Sequence, residues 1–422
     1  MNKKNESIRG MHDYLPNEIM IWNHVENLLK KILFSYCYRE IRLPVLEHTK
    51  LFNNTIGNNT DIFEKEMYSF QDRKNNQLTL RPEGTVGCAR ASIQHNLLIN
   101  KEQRLWYLGP MFRYERPQRG RYRQFYQMGA EAFGFKGPDI ELELILLTAS
   151  FWKKLGIDKY LILELNSIGS IHIRNQYKKD LLKFLQINES FLDHASKCRL
   201  HTNPFRILDS KVESTQVLLK KGPQLSNYID ENSAFHFKKL CCFMSDLEII
   251  YTINNNLIRG LDYYNDTVFE WKTNKLGSQN TICAGGRYDQ LIETLGGPNI
   301  PAVGFAIGME RLILLIKEVS SFTMLYFIDI YILVFNDSFK LSSIKLSEFI
   351  RHKFPTLKIM INFHGGNITQ QFRLANKHNA RVALLLGPEE QKKESILIKN
   401  LINRKQKIVL KTQLIEELSF LL

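Results

Sequence analysis

The chain has 422 residues, 44% hydrophobic and 24% charged, which is long enough for two or three domains with a core that needs no covalent cross-links. Its 57 lysines and arginines outnumber 43 acidic residues, and the resulting net charge of +14 favours a polyanionic partner such as nucleic acid. The basic start lacks an apolar signal segment and the most apolar run, TMLYFIDIYILVF, is too short to cross a bilayer, so the sequence argues against a secreted or membrane protein and predicts a cytoplasmic one.

The start of the chain predicts a packed helix followed by short strands. Residues 18–38 repeat apolar residues at intervals of three and four, which is typical of a helix that packs on one face. Residues 40–52 predict a strand interrupted by Pro44, which suits a sheet edge or a dimer contact. Two alternating segments within residues 66–85, joined by the polar QDRKNN, predict a hairpin.

A second hairpin follows the helical residues 86–99. Its strands are predicted at residues 104–115 and 123–134, on either side of the basic turn RPQRGRY. Neighbouring strands joined by short polar turns predict an antiparallel sheet, which excludes a doubly wound nucleotide-binding fold.

The rest of the chain divides into an insertion, a return to strands and a final small domain. A helix and a strand precede the polar, helical residues from about 170 to 247, which we interpret as an insertion. Further strands are predicted within residues 249–271, and an apolar helix is predicted at residues 303–319. From about Thr323 strands and helices alternate and predict a small α/β domain with a mixed sheet. The predicted domains are therefore residues 1–325 and 326–422.

The cysteines and histidines give little indication of a metal or disulfide framework. The 6 cysteines are scattered without a CxxC pair, as expected in a reducing cytoplasm. His194, Cys198 and His201 lie near one another in sequence, but their spacing fits no standard zinc pattern, so no structural metal is predicted.

Four arginines indicate an anion site. The sequence has no GxxxxGK[ST] loop and no GxGxxG after a strand, so any nucleotide phosphates must be held by side chains. Guanidinium groups suit this task because their planar forks bind phosphate in a bidentate manner. Any one such arginine is usually a surface residue, but four lie in apolar or glycine-rich segments: Arg113, Arg121, Arg259 and Arg311.

Several motifs resemble those of one enzyme family. FRYE with its basic turn and returning strand resembles the second signature motif of class II aminoacyl-tRNA synthetases, and GFAIGMERL resembles the third. LRPEGT, RGLDYYNDTVFEW and AGGRYDQLIETLGG resemble motifs of the histidyl-tRNA synthetase family. The resemblance covers nearly the whole chain and implies an α+β fold: a class II antiparallel sheet flanked by helices, a helical insertion and a C-terminal α/β anticodon-binding domain.

The resemblance also implies an activity. A histidine–tRNA ligase activates L-histidine with ATP, which enters with Mg²⁺, to histidyl-adenylate and pyrophosphate, and then transfers histidine to the 3′ end of tRNA(His). The family pattern implies a homodimer formed through the loosely matched first motif, IRLPVLE.

The same pattern assigns the phosphate and adenine contacts. Arg259 and Arg113 are expected to be catalytic, with Arg259 bridging the α-phosphate and the histidine carboxylate. Preorganised cations of this kind usually supply the largest catalytic stabilisation. The residues implied to bind ATP are Arg113, Glu115, Arg121, Phe125 and Arg311, with Phe125 and Arg311 on opposite faces of adenine.

The remaining implied site residues bind histidine and tRNA. Glu131 and Tyr264 are expected to pair with the imidazole, although Glu131 could instead be a structural carboxylate paired with an arginine. The full histidine set is Glu83, Thr85, Gln127, Glu131, Tyr263, Tyr264 and Tyr288. The turn residues Arg116, Gln118 and Arg119 are expected to contact the tRNA acceptor end, where the family's tRNA carries an extra 5′ guanylate.

Two other functions compete with the ligase. A synthetase-like regulatory subunit of ATP phosphoribosyltransferase keeps the catalytic fold without catalysis, but it generally lacks the C-terminal domain and the intact histidine motif seen here. Another class II synthetase, such as the prolyl or threonyl enzyme, is disfavoured by the paired tyrosines of RGLDYYNDTVFEW.

Overall fold

A computed structural model describes residues 5–55, 65–99, 102–200, 204–208, 210, 212–277, 279–320 and 327–421. They fall into two compact units, one within Met1–Leu15 and Ile21–Phe322, the other within Pro16–Met20 and Thr323–Leu422. The domain boundary predicted near Thr323 lies outside the described residues.

Helices and strands alternate irregularly up to residue 320. The helices are α1 (Pro16–Ser35), α2 (Thr49–Asn53), α3 (Thr85–Gln94), α4 (Asp139–Leu155), α5 (Ile171–Ile187), α6 (His194–Arg199), α7 (Glu213–Leu219), α8 (Glu231–Asp246), α9 (Leu291–Thr294) and α10 (Met309–Val319). The strands are β1 (Arg39–Glu40), β2 (Leu46–His48), β3 (Tyr68–Gln71), β4 (Gln77–Leu80), β5 (Gln103–Phe112), β6 (Gln124–Phe133), β7 (Ile162–Ser167), β8 (Thr252–Ile253), β9 (Asn265–Lys272), β10 (Thr281–Arg287) and β11 (Ala302–Gly308).

An eight-stranded sheet forms the centre of the larger unit, in the order β1-β5-β6-β11-β10-β9-β7-β8. The pairings from β5 to β7 are antiparallel, whereas β1 and β8 join the two edges as short parallel strands. The antiparallel sheet and the α+β class predicted from the sequence are confirmed.

The predicted hairpins form, but the segment around Pro44 divides. β3 and β4 pair antiparallel, and so do β5 and β6. β1 before Pro44 joins the large sheet, while β2 after it pairs with β4 in a separate three-stranded sheet. Proline cannot donate to a strand ladder, so a break at this position is expected. The predicted strand was wrong beyond His48, where α2 begins.

The apolar helix predicted at residues 303–319 was wrong over residues 303–308. Residues 302–308 form β11, which lies between β6 and β10 in the middle of the sheet. A Cβ atom on Gly304 would collide with the carboxylate of Glu131 on the neighbouring strand. A short apolar run does not distinguish a buried strand from a helix by periodicity, and here the close approach of β6 decides. The helix begins only at Met309.

Residues 171–246 contain α5 to α8 and short 3-10 turns. Three of these helices begin at side-chain caps, in which Ser170, Asp193 and Asp230 each accept a hydrogen bond from the backbone three residues later. His194 and Cys198 lie on α6, and His201 lies outside the described residues. Among the residues that the structure describes, no three histidine, cysteine or acidic side chains cluster as a metal site, and no helix is long and apolar enough to cross a membrane.

The second unit has a five-stranded mixed sheet, as predicted. Its strands are β12 (Ile328–Val334), β13 (Ile359–Ile361), β14 (Ala380–Leu386), β15 (Ser395–Asn400) and β16 (Gln406–Leu410), and its helices are α11 (Lys340–Lys353), α12 (Ile368–Lys377), α13 (Pro388–Lys392) and α14 (Leu414–Leu421). β13, β12 and β14 are parallel, and β14, β15 and β16 are antiparallel. Every residue of β12 is buried, so this strand lies in the core of the second unit.

Candidate active site

A cavity of about 160 Å³ lies in the larger unit and gathers most of the residues predicted from the sequence. The predicted residues that line it are Glu83, Thr85, Arg113, Glu115, Arg121, Phe125, Gln127, Arg259, Tyr263, Tyr264 and Arg311. The predicted residues that do not line it are Arg116, Gln118, Arg119, Glu131 and Tyr288.

The β5–β6 hairpin supplies one wall of the cavity. Because side chains alternate along a strand, Phe125 and Gln127 on β6 both face the cavity while Tyr126 between them does not. The Oε1 atom of Gln127 is buried and has no hydrogen-bond partner among the described residues. A buried unpaired acceptor is costly, so this atom indicates a place for a ligand donor.

Arg113 and Arg311 are held by backbone carbonyls. The Nε of Arg113 donates to the carbonyl of Pro82 at 2.9 Å, and its guanidinium lies 5.2 Å from the centre of the Phe125 ring. Arg311 donates to the carbonyls of Gly120 at 2.9 Å and Thr281 at 3.0 Å. These contacts fix both guanidiniums before any ligand arrives.

Burial and mutual repulsion reduce the basicity of these two arginines. Burial, and after it the neighbouring Arg113 and Arg121, lower the pKa of Arg311 to about 10. Burial also lowers the pKa of Arg113, and the nearby Arg259 adds to this effect. An anion bound between the guanidiniums would relieve both costs, so the electrostatics favour a phosphate ligand.

Arg259 is tethered on one side and unpaired on another. Its Nη1 donates to Glu270, whereas its buried Nε has no partner among the described residues. Burial works against its charge, but Glu270 and the tyrosines outweigh burial and raise the pKa of the guanidinium. Glu270 also accepts from the Thr281 hydroxyl at 3.1 Å and forms an ion pair with Lys272 at 3.3 Å.

Glu83 lies at the beginning of α3 and turns its carboxylate back on the helix. It accepts from the backbone N–H groups of Thr85 at 2.8 Å and Val86 at 2.7 Å. The Tyr263 hydroxyl lies 3.4 Å from the same carboxylate. Burial raises the pKa of Glu83 in spite of these bonds. A carboxylate in this position could accept from an ammonium group in the cavity.

Glu131 lies behind the cavity wall rather than in it. Its side chain is fully buried and accepts from the hydroxyls of Thr85 at 2.7 Å, Tyr107 at 3.1 Å and Tyr288. Burial raises the pKa of Glu131 to about 8, although these hydroxyls oppose the shift. Thr85 both lines the cavity and donates to Glu131, so it links the two.

Tyr288 packs with the tyrosine pair instead of lining the cavity. Its ring centre is 5.5 Å from that of Tyr263 and 6.1 Å from that of Tyr264, both edge-on. The three rings and Glu131 form a polar-aromatic layer under the cavity.

The basic turn between β5 and β6 lies partly outside the cavity. Arg116, Gln118 and Arg119 are exposed, and Arg119 forms an ion pair with Glu318 at 2.8 Å. Arg121 points the other way, lines the cavity and donates to Glu115. Glu115 is thus paired with an arginine in this structure.

Several residues that line the cavity were not predicted from the sequence, among them Tyr122, Thr281 and Glu310. Tyr122 closes the basic turn and Glu310 precedes Arg311, so both stood beside predicted residues. Their roles depend on partners that are distant in sequence, and no local pattern indicates such partners.

The comparisons with known proteins agree on one family. Residues 10–312 match the family described as "Histidyl-tRNA synthetase". The chain is 55% identical over 416 residues to the histidine–tRNA ligase of Buchnera aphidicola subsp. Schizaphis graminum, covering 98% of this chain and 97% of the relative. It is 51% identical over 424 residues to the histidine–tRNA ligase of Blochmanniella pennsylvanica, covering 100% and 97%. The crystal structure of apo S. aureus histidyl-tRNA synthetase superposes with a TM-score of 0.81 at 31% identity, covering 98% of this chain and 100% of that one.

Proposed function

The chain belongs to the histidyl-tRNA synthetase family and is an aminoacyl-tRNA ligase, and from this we propose how its cavity works. The reaction is that of a histidine–tRNA ligase. A histidine carboxylate oxygen attacks the α-phosphorus of ATP, a new P–O bond forms, and pyrophosphate leaves as the bond to the β-phosphate breaks. A hydroxyl of the tRNA 3′ ribose then attacks the histidyl carbonyl, and AMP leaves.

One observation carries this proposal: four arginines and an amide oxygen that has no partner among the described residues line the same small cavity. Arg113, Arg121, Arg259 and Arg311 can neutralise a triphosphate, and the Oε1 of Gln127 can accept from the α-ammonium of an amino acid. The first reaction brings a carboxylate and a triphosphate together, so its main obstacle is charge repulsion. Cations fixed before the reaction remove that obstacle at little reorganisation cost.

We assign the reaction centre to Arg259 and Arg113. Arg259 lines the cavity with an Nε that has no partner in the described part of the chain, and its charge is balanced by Glu270. It can therefore contact the α-phosphate and the histidine carboxylate together without losing its own support. Arg113 is held by the Pro82 carbonyl and is proposed to contact the α-phosphate from the other side.

The adenine is proposed to lie between Phe125 and Arg311. Stacking of a base on an aromatic ring contributes about 1–3 kcal/mol, and a guanidinium on the other face adds a cation–π contact. Glu115 is the proposed acceptor for the exocyclic amine, and Arg121, its partner in this structure, is proposed to turn to the outer phosphates when ATP binds. Mg²⁺ enters with ATP as part of the substrate.

The histidine side chain is proposed to lie against the polar-aromatic layer. Tyr264 lines the cavity at this layer. Glu131 is connected to the cavity through the hydroxyl of Thr85, which lines the cavity and donates to Glu131. Glu83 and Gln127 are proposed to hold the α-ammonium group, with Tyr263 and Tyr288 supporting the wall. An imidazole has one donor and one acceptor nitrogen, so the Thr85 hydroxyl, held by Glu131, and the Tyr264 hydroxyl form a complementary pair.

The tRNA is proposed to contact the exposed turn and the second unit. Arg116, Gln118 and Arg119 are exposed and outside the cavity, as a contact with a large ligand requires. Residues 327–422 contain 15 lysines and arginines against 8 acidic residues, which favours an anticodon-binding role for the α/β unit. The proposal also includes a homodimer and a cytoplasmic location, where tRNA is charged.

Histidine-dependent exchange of labelled pyrophosphate into ATP is the direct test of the function. The purified chain is expected to catalyse this exchange with histidine and not with proline or threonine. It is then expected to charge tRNA(His). A chain that binds histidine but supports no exchange would contradict the ligase and favour a regulatory subunit. The curated relatives at 51–55% identity are ligases, which supports the first outcome.

Removal of residues 323–422 should separate the two half-reactions. Because the cavity lies in the larger unit, histidine-dependent exchange is expected to remain within about threefold of the full chain. Charging of tRNA is expected to fall by at least tenfold, since phosphate contacts dominate affinity for nucleic acid. The oligomeric state must be measured alongside by light scattering. Unchanged charging by a truncated protein of the same oligomeric state would count against a tRNA-binding role.

A further inference from the structure

The N-terminal segment, residues 8–14, contacts the returning side of the β5–β6 hairpin at alternate positions. The carbonyl of Gly10 accepts from the backbone N–H of Arg123 at 2.8 Å. The ring of His12 lies edge-on to that of Tyr122, with 4.7 Å between the centres. Tyr14 is the next residue in this row, and its ring lies edge-on to that of Tyr126, with 5.9 Å between the centres.

Tyr14 holds a buried carboxylate. Its hydroxyl donates to the Oε1 of Glu310 at 2.6 Å, and the backbone N–H of Tyr126 lies 2.8 Å and 3.1 Å from the two oxygens of the same carboxylate. Glu310 is only 5% exposed. The Tyr14 ring packs against Trp22, with 4.6 Å between the centres. The hydroxyl is therefore fixed by ring packing as well as by its own bond.

The carboxylate joins two elements beside the proposed adenine site. Glu310 immediately precedes Arg311 on α10, and Tyr126 immediately follows Phe125 on β6. The pairing of β11 with β6 ends at Gly308, which lies opposite Gln127. The backbone N–H of Tyr126, the next residue towards the start of β6, therefore donates to the side chain of Glu310 instead of to a strand. A bond at this position sets the distance between α10 and β6.

We propose that Glu310 is a positioning residue for ATP: held by the Tyr14 hydroxyl, it fixes the gap between Phe125 and Arg311 into which adenine enters. Glu310 acts through these neighbours and takes no part in the chemical step. This inference rests on the ATP site proposed above and adds the N-terminal segment to it.

The ionisation of Glu310 predicts a pH dependence of ATP binding that a purely structural packing role would not produce. Burial raises the pKa of Glu310 to about 7, against the bonds from Tyr14 and Tyr126 and the charge of Arg311, which lower it. Among the described residues, Tyr14, Tyr126 and Arg311 face it from the N-terminal segment, β6 and its own helix. An ionised carboxylate is the stronger acceptor, so its hold on the Tyr126 N–H weakens as the pH falls through about 7. Loss of the Tyr14 hydroxyl raises the pKa of Glu310 further and moves this change to higher pH.

The test is Tyr14→Phe, which keeps the ring on Trp22 and removes the hydroxyl. In pyrophosphate exchange, the KM for ATP is expected to rise about two- to tenfold, as for loss of one hydrogen bond, while the KM for histidine stays within about twofold. The increase in the ATP KM at acidic pH should begin at a higher pH than in the wild type. Glu310→Gln should give a raised ATP KM without this pH dependence. The titration of ATP itself is common to all variants and cancels in the comparison.

Tyr36→Phe is the matched control, because it removes a hydroxyl at the end of α1 whose neighbour is Ser150. It is expected to leave both KM values unchanged. If Tyr14→Phe catalyses exchange at the wild-type rate with an unchanged KM for ATP, the inference is overturned and the proposed function stays intact. Equal changes in both KM values with the wild-type pH profile would also overturn it, since they would indicate a packing role. Absence of exchange in the wild type would instead remove the proposed function.

Discussion

Arg259→His is expected to lower the single-turnover rate of histidyl-adenylate formation by about a hundredfold or more, with little change in histidine affinity. Loss of one preorganised donor at a developing charge costs about that much in other enzymes. The interaction is made chiefly in the transition state, so the loss falls on the rate rather than on ground-state binding. Rapid-quench measurement of adenylate at saturating histidine and ATP is the direct assay.

The structure indicates that this variant should fold. Glu270, the partner of Arg259, keeps Lys272 and the Thr281 hydroxyl, so the substitution does not leave a buried carboxylate unpaired. Arg73→His is a suitable control because Arg73 is exposed in the turn between β3 and β4 and does not line the cavity. A rate for Arg259→His within a few-fold of the wild type, with Arg73→His unchanged, would eliminate Arg259 as the catalytic cation.

Glu131→Gln is expected to weaken histidine binding by about ten- to a hundredfold while leaving ATP affinity nearly unchanged. Glu131 orients the Thr85 hydroxyl of the cavity wall, and a buried polar group left without its partner costs about 1–3 kcal/mol, which corresponds roughly to that range. The amide keeps the volume and one acceptor oxygen, but its NH₂ group cannot accept from the Tyr288 hydroxyl as the second carboxyl oxygen does. Isothermal titration of each ligand separately gives both dissociation constants.

The alternative role for Glu131 makes a different prediction. If Glu131 only supports the layer of hydroxyls, Tyr107→Phe should weaken histidine binding to a similar extent, since Tyr107 donates to Glu131 but does not line the cavity. If Glu131 instead balances the arginines, ATP affinity should fall first in Glu131→Gln. Normal histidine affinity with a defect in ATP binding would refute the recognition role. The hydrogen bonds of Glu131 in this structure come from hydroxyl groups, which favours recognition over charge balance.

Local patterns in the sequence were sufficient for much of the larger sheet and for part of the site. The β5–β6 hairpin was predictable because alternation and a polar turn are properties of neighbouring residues, and the helix at residues 139–155 was predictable from its periodicity. The cavity-lining arginines were identifiable because each lies in a distinctive motif. The assignment of roles came from the family resemblance, and the identity of the family is shown by the comparisons.

Other features depended on contacts between distant segments. Residues 303–308 have the composition of a buried helix or a buried strand, and only their place between β6 and β10 makes them a strand. The position of Glu131 behind Thr85 could not be derived from its motif, because the hydroxyls that surround it come from three separate elements. The bond between Tyr14 and Glu310 joins residues 296 positions apart.

The sequence by itself determined the chemistry available to this protein: its guanidiniums, its carboxylates, its paired tyrosines and the strands and helices that carry them. Those properties are local, because residue type belongs to a single position and short-range periodicity depends only on residues close in sequence. Only the tertiary structure decided which carboxylates face the cavity, which arginines are already paired and which polar atoms remain without partners. The physical reason is that burial and charge pairing depend on the three-dimensional neighbours of a group, and so do the pKa shifts of Glu131 and Glu310.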